Sequence, residues 1–269
     1  MIETRLVVII AFVLMFISNV ISVTSNFYNH TNNTKISQDN PTTLTPDGIT
    51  FSIWGPIYIF ELGTVCFQCW KTGTIIKDST REWLAGAFLL NALWLPLFAY
   101  EYWWLSLFVI LAYAWTLVEL YSWDMHIDYA NDKHWKDKLW AYTGISLNLA
   151  WVTVATLLNL TIVFRNSRIV FTHSGTVVVG GNSDWAVACI VAAGVMAIHK
   201  IVQSADIPYG LATAWALFGI YRHQEEDQKK WALIFAIALL GIATIRLILC
   251  KCDRRTKKPP LKDNLLEHA

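Results

Sequence analysis

Long apolar blocks without charged residues restrict the folds that are available to this chain. About 20 consecutive apolar residues are needed to cross the hydrocarbon core of a bilayer. By that measure the sequence has eight candidate spans, near residues 6–24, 51–70, 83–101, 102–123, 139–164, 184–203, 207–222 and 231–250. Only 15% of the residues are charged, whereas soluble domains carry about a quarter. The pattern predicts an all-α fold, a polytopic bundle of transmembrane helices.

The lysines and arginines near the spans predict an orientation. With eight spans, the basic loops 71–82 and 124–138 and the basic tail lie on one side. Cytosolic loops carry the excess of Lys and Arg, so both termini are expected to be cytosolic, in an endomembrane or the plasma membrane. The loop 222–230, which carries basic residues on the outer side, is the exception. Glycosylation sequons at Asn29 and Asn32 fall in the first non-cytosolic loop, where glycosylation is expected.

Other residue patterns limit the function classes. The five cysteines show no disulfide framework. Cys250 and Cys252 lie where the last span meets the basic tail, a position typical of palmitoylated cysteines. No catalytic nucleophile and no metal-ligating set is recognisable, so the sequence predicts neither an enzyme nor a metal site. The net charge of +1, with dispersed basic residues, gives no indication of nucleic-acid binding.

The chain has 14 tryptophans, and most fall near span ends, as in the aromatic belts of membrane proteins. Five lie further inside the predicted spans. An indole N–H placed there needs a partner away from water. These five are therefore predicted to point into the bundle or into a cavity: Trp54, Trp94, Trp115, Trp151 and Trp215.

Three spans each carry a helical stripe that mixes polar groups with aromatic rings. Interhelical hydrogen bonding accounts for such stripes, and so does an aromatic ligand pocket with a few polar groups. The two interpretations are compatible. The stripe residues are Trp54, Tyr58 and Glu61; Asn91 and Trp94; and Asn148, Trp151, Ala155 and Asn159.

The second span contains two residues that lipid disfavours. Glu61 lies near its middle, and an ionisable group at that depth faces the interior of a bundle. It is either functional or hydrogen-bonded to a neighbouring helix. Pro56 lacks a backbone N–H and is tolerated early in a helix. We therefore expect the helix to become regular only after Pro56.

Three motifs occur in one order: "TPDGITFSIWGPIY", "LLNALW" and "LAWVTVATLLN". Together they resemble the second, third and fifth helices of the tryptophan-rich sensory protein (TspO/MBR) family, which includes the translocator protein. The resemblance implies a five-helix core over residues 1–165 and an extension of three transmembrane helices over 166–250. The basic composition of residues 251–269 predicts a cytosolic tail. The segment "IPYGLATAWALFGI" is similar to the longer, eight-helix relatives.

The family resemblance also implies a ligand pocket where the first loop closes over the bundle. Family members bind porphyrins, sterols and benzodiazepine-like ligands. The matched pocket positions are Trp54, Asn91, Trp94, Trp151, Ala155 and Asn159, with Tyr58 nearby. The first loop here, "NPTTLTPDGIT", lacks the tryptophan and the paired prolines that are usual in the family. The fold therefore transfers better than the identity of the ligand.

The expected function is binding or transport of a small amphipathic or hydrophobic ligand. A tetrapyrrole such as porphyrin or haem, or a sterol, would be a ligand; no cofactor is otherwise expected. One alternative is an ion-coupled secondary transporter that uses Glu61. Another is a regulatory or structural partner without a ligand, with 184–250 as its interaction surface. The expected partners are the lipid bilayer and the small ligand, and a homodimer is left open.

Overall fold

A computed structural model describes residues 2–24, 33–70, 77–124, 135–167, 170–173, 176–179 and 183–256. Within these residues the chain is almost entirely helical, which confirms the predicted fold class. The helices are α1 (Ile2–Thr24), α2 (Asn33–Asp39), α3 (Trp54–Trp70), α4 (Asp78–Ala99), α5 (Trp103–Asp124), α6 (Trp135–Asn166), α7 (Ser183–Ser204), α8 (Ile207–His223) and α9 (Glu226–Thr256), with a 3₁₀ helix at Gly48–Ile53.

Seven of the helices in the described residues are long and apolar enough to cross a membrane. The remaining predicted span, residues 207–222, corresponds to α8, which has 17 residues and so lies at the short end of the spanning range. The helix α9 continues to Thr256, into the segment assigned to the tail. One departure from helix is a small antiparallel hairpin, β1 (Val170–His173) and β2 (Thr176–Val179).

Local capping explains where two of these helices begin. The Asp47 carboxylate accepts a hydrogen bond from Ile49 N at 3.1 Å and starts the 3₁₀ helix, which runs directly into α3 at Trp54. The expectation that the helix becomes regular only after Pro56 was wrong, because Pro56 lies in the first turn of α3. Proline is tolerated in the first turn of an α-helix, where its fixed φ suits the helical backbone.

The start of α8 follows the same logic. After α7 ends, Ala205 adopts a left-handed backbone conformation with φ of 52°. Asp206 then caps α8 by accepting a hydrogen bond from Tyr209 N at 3.0 Å. The same carboxylate accepts a hydrogen bond from Ser146 Oγ at 2.5 Å, which fixes this end of α8 on α6. Residues 205 and 206 therefore form a short turn between α7 and α8.

Five helices form a closed ring in which each contacts two neighbours. Around the ring the order is α1, α4, α5, α6 and α3, and α3 returns to α1. Ser18 Oγ donates to Ala92 O at 3.2 Å, and Thr4 Oγ1 donates to Asp78 Oδ1 at 2.9 Å. These two contacts show that α1 and α4 run parallel. The core of the bundle lies inside this ring.

Three of the remaining helices form a second layer against the ring. α7, α8 and α9 pack on one another, and α8 also packs against α6 and the 3₁₀ helix. α8 is thus enclosed by protein, and ten of its side chains or glycines are buried. This explains how so short a helix sits in an apolar bundle: most of its surface faces other helices.

One inward prediction was wrong. Trp115 on α5 is 62% exposed and faces away from the bundle. Trp215 on α8, which was also predicted to point inward, has an interior hydrogen-bond partner, because its Nε1 donates to Thr50 O at 2.9 Å. The outer face of α5 would lie against lipid.

Candidate functional site

A narrow cavity lies between the ring and α8, at the end of the bundle where α3 begins. The space between its walls, together with the open solvent at its mouth, is about 480 Å³, so little of it is enclosed. Aromatic and aliphatic side chains make up most of its wall, and Asn159 is the one amide among them. The lining residues are Leu44, Pro46, Phe51, Trp54, Trp94, Phe98, Trp151, Val154, Ala155, Leu158, Asn159 and Ala216.

The aromatic rings of this wall pack against one another across the cavity. The Trp151 ring lies edge-on to Phe51, with centroids 5.6 Å apart, and edge-on to Trp54 at 6.0 Å. The Trp94 ring stacks on Phe98 at 4.9 Å. Edge-to-face and offset-stacked pairs are the favoured aromatic geometries. The rings therefore leave a narrow space, and a flat ligand has to separate them.

The polar groups at the cavity are mostly hydrogen-bond donors. The indole Nε1 atoms of Trp94 and Trp151 are buried and have no partner among the described residues. Asn159 exchanges hydrogen bonds with Ser106, and its Nδ2 donates to Ser106 Oγ at 3.2 Å. A side-chain amide carries two N–H groups, so one remains. None of the lining residues is charged.

The segment 42–53, which we call the lid, closes one side of the cavity. It contributes Leu44, Pro46 and Phe51 to the wall. The lid is internally braced, because Thr42 N donates to Thr45 Oγ1 at 2.7 Å and Thr45 N donates to Thr42 O at 3.2 Å. Thr45 and Thr50 are buried. The lid is thus a packed part of the bundle in this structure.

A separate polar network lies deeper in the ring and joins all five of its helices. Tyr58 OH donates to Asn19 Oδ1, and Asn19 Nδ2 donates to Asn91 Oδ1 at 2.9 Å. Asn91 Nδ2 then donates to Tyr113 OH at 3.2 Å. The chain of bonds continues to the buried carboxyl group of α3.

That carboxyl group belongs to Glu61, which is 1% exposed. Asn148 Nδ2 donates to Glu61 Oε1 at 2.6 Å and also to Tyr113 OH. Glu61 Oε2 and Asn148 Oδ1 have no partner among the described residues. An isolated carboxylate in an apolar interior is very costly, so such a group is either protonated or neutralised by a bound cation.

The structure divides the predicted site residues into two groups. Trp54, Trp94, Trp151, Ala155 and Asn159 line the cavity. The other four predicted residues, Tyr58, Glu61, Asn91 and Asn148, belong to the network instead.

Tyr58 connects the two groups, because its ring stacks on Trp54 with centroids 5.4 Å apart. Trp54 and Glu61 are seven residues apart on α3. The rise of an α-helix places the network about 10 Å deeper than the cavity mouth.

Several residues of the network and of the cavity wall are absent from the set that the sequence predicted. In the network these are Asn19 and Tyr113, and at the cavity they include Phe51 and Ala216. Asn19 offered a signal, because it is an amide within the apolar first span. Ala216 offered none, since a small residue in an apolar helix has no distinctive pattern.

The predicted modification sites remain predictions. Cys250 lies in α9 and its side chain is largely buried, and the side chain of Cys252 lies outside the described residues. Asn29 and Asn32 also lie outside them. Within the described part of the chain, no group of three or more His, Cys, Asp or Glu residues could hold a metal ion.

Comparison with known proteins identifies the family to which this chain belongs. Neither a curated protein nor a solved structure matches the chain. A family model described as "TSPO-like protein" matches residues 5–250. The match spans the five-helix ring and the three-helix layer together, and it confirms the resemblance that the three motifs indicated. The chain therefore belongs to the TSPO-like protein family.

Proposed function

We propose that this integral membrane protein binds and moves a small amphipathic or hydrophobic ligand of tetrapyrrole or sterol type, and does not act as an enzyme. The observation that carries the proposal is the uncharged aromatic cavity beneath the lid. A mostly apolar pocket with a few polar groups is the usual form of a small-molecule site. Membership of the TSPO-like family supports a protein of this kind.

The chemistry of the cavity wall favours one class of polar group on the ligand. Trp94 and Trp151 offer unpaired indole N–H groups, and Asn159 offers a spare amide N–H. Donors require acceptors, so a carbonyl, ester or ether oxygen suits this wall. A carboxylate lacks a cationic partner among the lining residues, and burying it unpaired is costly. A neutral ligand should therefore bind at least as tightly as its carboxylate form.

The test is a fluorescence titration of the purified protein with protoporphyrin IX, its dimethyl ester, haem and cholesterol. We expect saturable quenching, with the ester at least as tight as the free acid. In Trp151→Phe the indole N–H and part of the ring contact are lost, and affinity should fall about two- to tenfold, as expected for a loss of about 0.5–1.5 kcal/mol.

Trp115→Phe is the matched control, because it also removes one indole but from the exposed face of α5. Its affinity should equal that of the wild type. Equal loss in both variants, or no saturable quenching by any of the four compounds, would refute this function.

A second candidate function is ion-coupled transport, and the buried network favours it. Glu61 has one oxygen bound by Asn148 and one without a partner. That arrangement suits reversible binding of a proton or a small cation. Uptake of labelled ligand into proteoliposomes under a proton gradient tests it. Glu61→Gln should abolish the gradient dependence, whereas the exposed Glu82→Gln should retain it. Gradient dependence that persists in Glu61→Gln would exclude coupling through this residue.

A further inference from the structure

The C-terminal part of α8 contacts the lid at several points along its length. Gln224 Nε2, just past the helix, donates to Thr42 O at 3.0 Å and to Thr45 O at 2.7 Å. Trp215 Nε1 donates to Thr50 O at 2.9 Å. These bonds hold backbone carbonyl groups of the lid, so they depend on the position of the lid and not on its side chains.

The middle of the lid is held in the same way. Asp47 N donates to Gly219 O at 3.0 Å. The Asp47 carboxylate pairs with the Arg222 guanidinium, with Nε 2.9 Å from Oδ2. Asp47 also caps the 3₁₀ helix through Ile49 N. One aspartate therefore joins the fold of the lid to the end of α8.

The backbones approach closely at Gly219. A Cβ atom at this position would lie 2.7 Å from Thr50 Cγ2 and 2.8 Å from Thr50 Cβ. Because Thr50 Cβ is fixed by its own backbone, no rotamer change can relieve the contact. Only glycine permits α8 to lie this close to the lid.

We propose that the end of α8, residues 215–224, is a latch that keeps the lid closed and so controls the rate at which ligand enters and leaves the cavity. Three facts lead to this assignment. The lid forms part of the cavity wall, the aromatic rings leave little room while it is closed, and α8 holds it through backbone groups. The control of ligand exchange rests on the proposed function, whereas the closing of the lid does not.

The first test needs no ligand and uses hydrogen–deuterium exchange of the full chain in lipid nanodiscs. Gln224→Ala removes two hydrogen bonds to the lid, and Gly219→Ala displaces the lid through a steric clash with Thr50. In both we expect amides in residues 42–53 to exchange about tenfold faster, which corresponds to about 1.4 kcal/mol. The amides of α1 and α4 should exchange as in the wild type.

Two variants serve as matched controls. Gln203→Ala truncates an exposed glutamine near the end of α7, outside the latch. Gly241→Ala adds a methyl group to α9 where nothing lies within 4 Å. Neither should change exchange of the lid. Unchanged exchange in both latch variants would overturn the proposal, and so would faster exchange throughout the ring, since these contacts would then support the whole fold.

The second test measures rates of quenching by protoporphyrin IX dimethyl ester in stopped flow. In the latch variants, association and dissociation should both become several-fold faster, and affinity should change less than either rate. Wild-type rates in a variant whose lid exchanges faster would overturn control by the latch. Failure of the wild type to bind any compound in the titration would refute the proposed function and leave the exchange result to decide whether the latch exists.

Discussion

The helices α3 and α6 approach each other closely at Gly144, so replacing this glycine by alanine should destabilise the bundle. A Cβ atom at Gly144 would lie 2.8 Å from Glu61 N and 3.0 Å from Phe60 C. Non-bonded carbon atoms prefer about 3.5–4.0 Å, so Gly144→Ala must move the two helices apart by roughly 0.7 Å. Both obstructing atoms belong to the backbone, so the strain is not relieved by a side-chain rotation.

The expected cost is that of overpacking, about 1–3 kcal/mol. Alanine gains up to about 1 kcal/mol over glycine within a helix, which offsets part of it. The control is Gly86→Ala in α4, where the new methyl group would lie 3.9 Å from Thr116 Cγ2, an ordinary contact. Gly86→Ala gains the higher helix propensity of alanine without a steric clash, so it should be at least as stable as the wild type.

Unfolding by sodium dodecyl sulfate in mixed micelles, followed by circular dichroism, measures both variants. We expect Gly144→Ala to be less stable than Gly86→Ala by about 1–3 kcal/mol. The shift also moves Glu61 relative to Asn148. The interaction free energy between these two residues, measured by a double-mutant cycle, should therefore be smaller in this variant. A Gly144→Ala protein that matches Gly86→Ala in stability would refute the close approach of α3 and α6 at this point.

Three further predictions concern the network, the latch and the predicted glycosylation sites. Asn148→Leu should destabilise the bundle by about 1–3 kcal/mol because it leaves Glu61 without its donor, and the same change should cost less in a Glu61→Leu background; additive losses in a double-mutant cycle would contradict the bond. The ion pair of Arg222 and Asp47 is partly exposed, so raising ionic strength from 0.01 to 1 M should speed exchange of the lid amides in the wild type but not in Arg222→Gln. When the protein is made in a eukaryotic secretory pathway, an amidase that removes N-linked glycans should lower its apparent mass, whereas the mass of a variant that lacks both sequons should not change; an unchanged wild-type mass would contradict glycosylation.

The division of the predicted site into cavity residues and network residues shows what helical spacing can and cannot predict. Trp54, Tyr58 and Glu61 share one face of α3, and that face does point inward. The spacing of residues along one helix does not identify which residues of other helices pack against that face. The start of the stripe meets the cavity rings, and its end meets Asn148 on α6 and the amides of α1 and α4, because the neighbours change along the axis.

Trp115 shows a second limit. In a soluble protein, the apolar face of a helix is the buried one, and periodicity reveals it. In a bilayer the outer face of a helix is apolar as well, since lipid replaces water. Trp94 and Trp115 therefore look alike in sequence, although Trp94 is buried and Trp115 is exposed. Polar residues such as Asn91 are better markers, because lipid does not tolerate them.

The sequence by itself determined the helical membrane fold, most helix boundaries, the family and the inward stripes. These depend on local composition, on the length needed to cross a bilayer and on motifs within single helices. Only the tertiary structure separated the cavity from the Glu61 network and placed α8 on the lid. Those features arise from contacts between residues far apart in the chain, such as Gln224 with Thr42, which are 182 positions apart. No local pattern encodes such a contact, because it depends on how the helices pack.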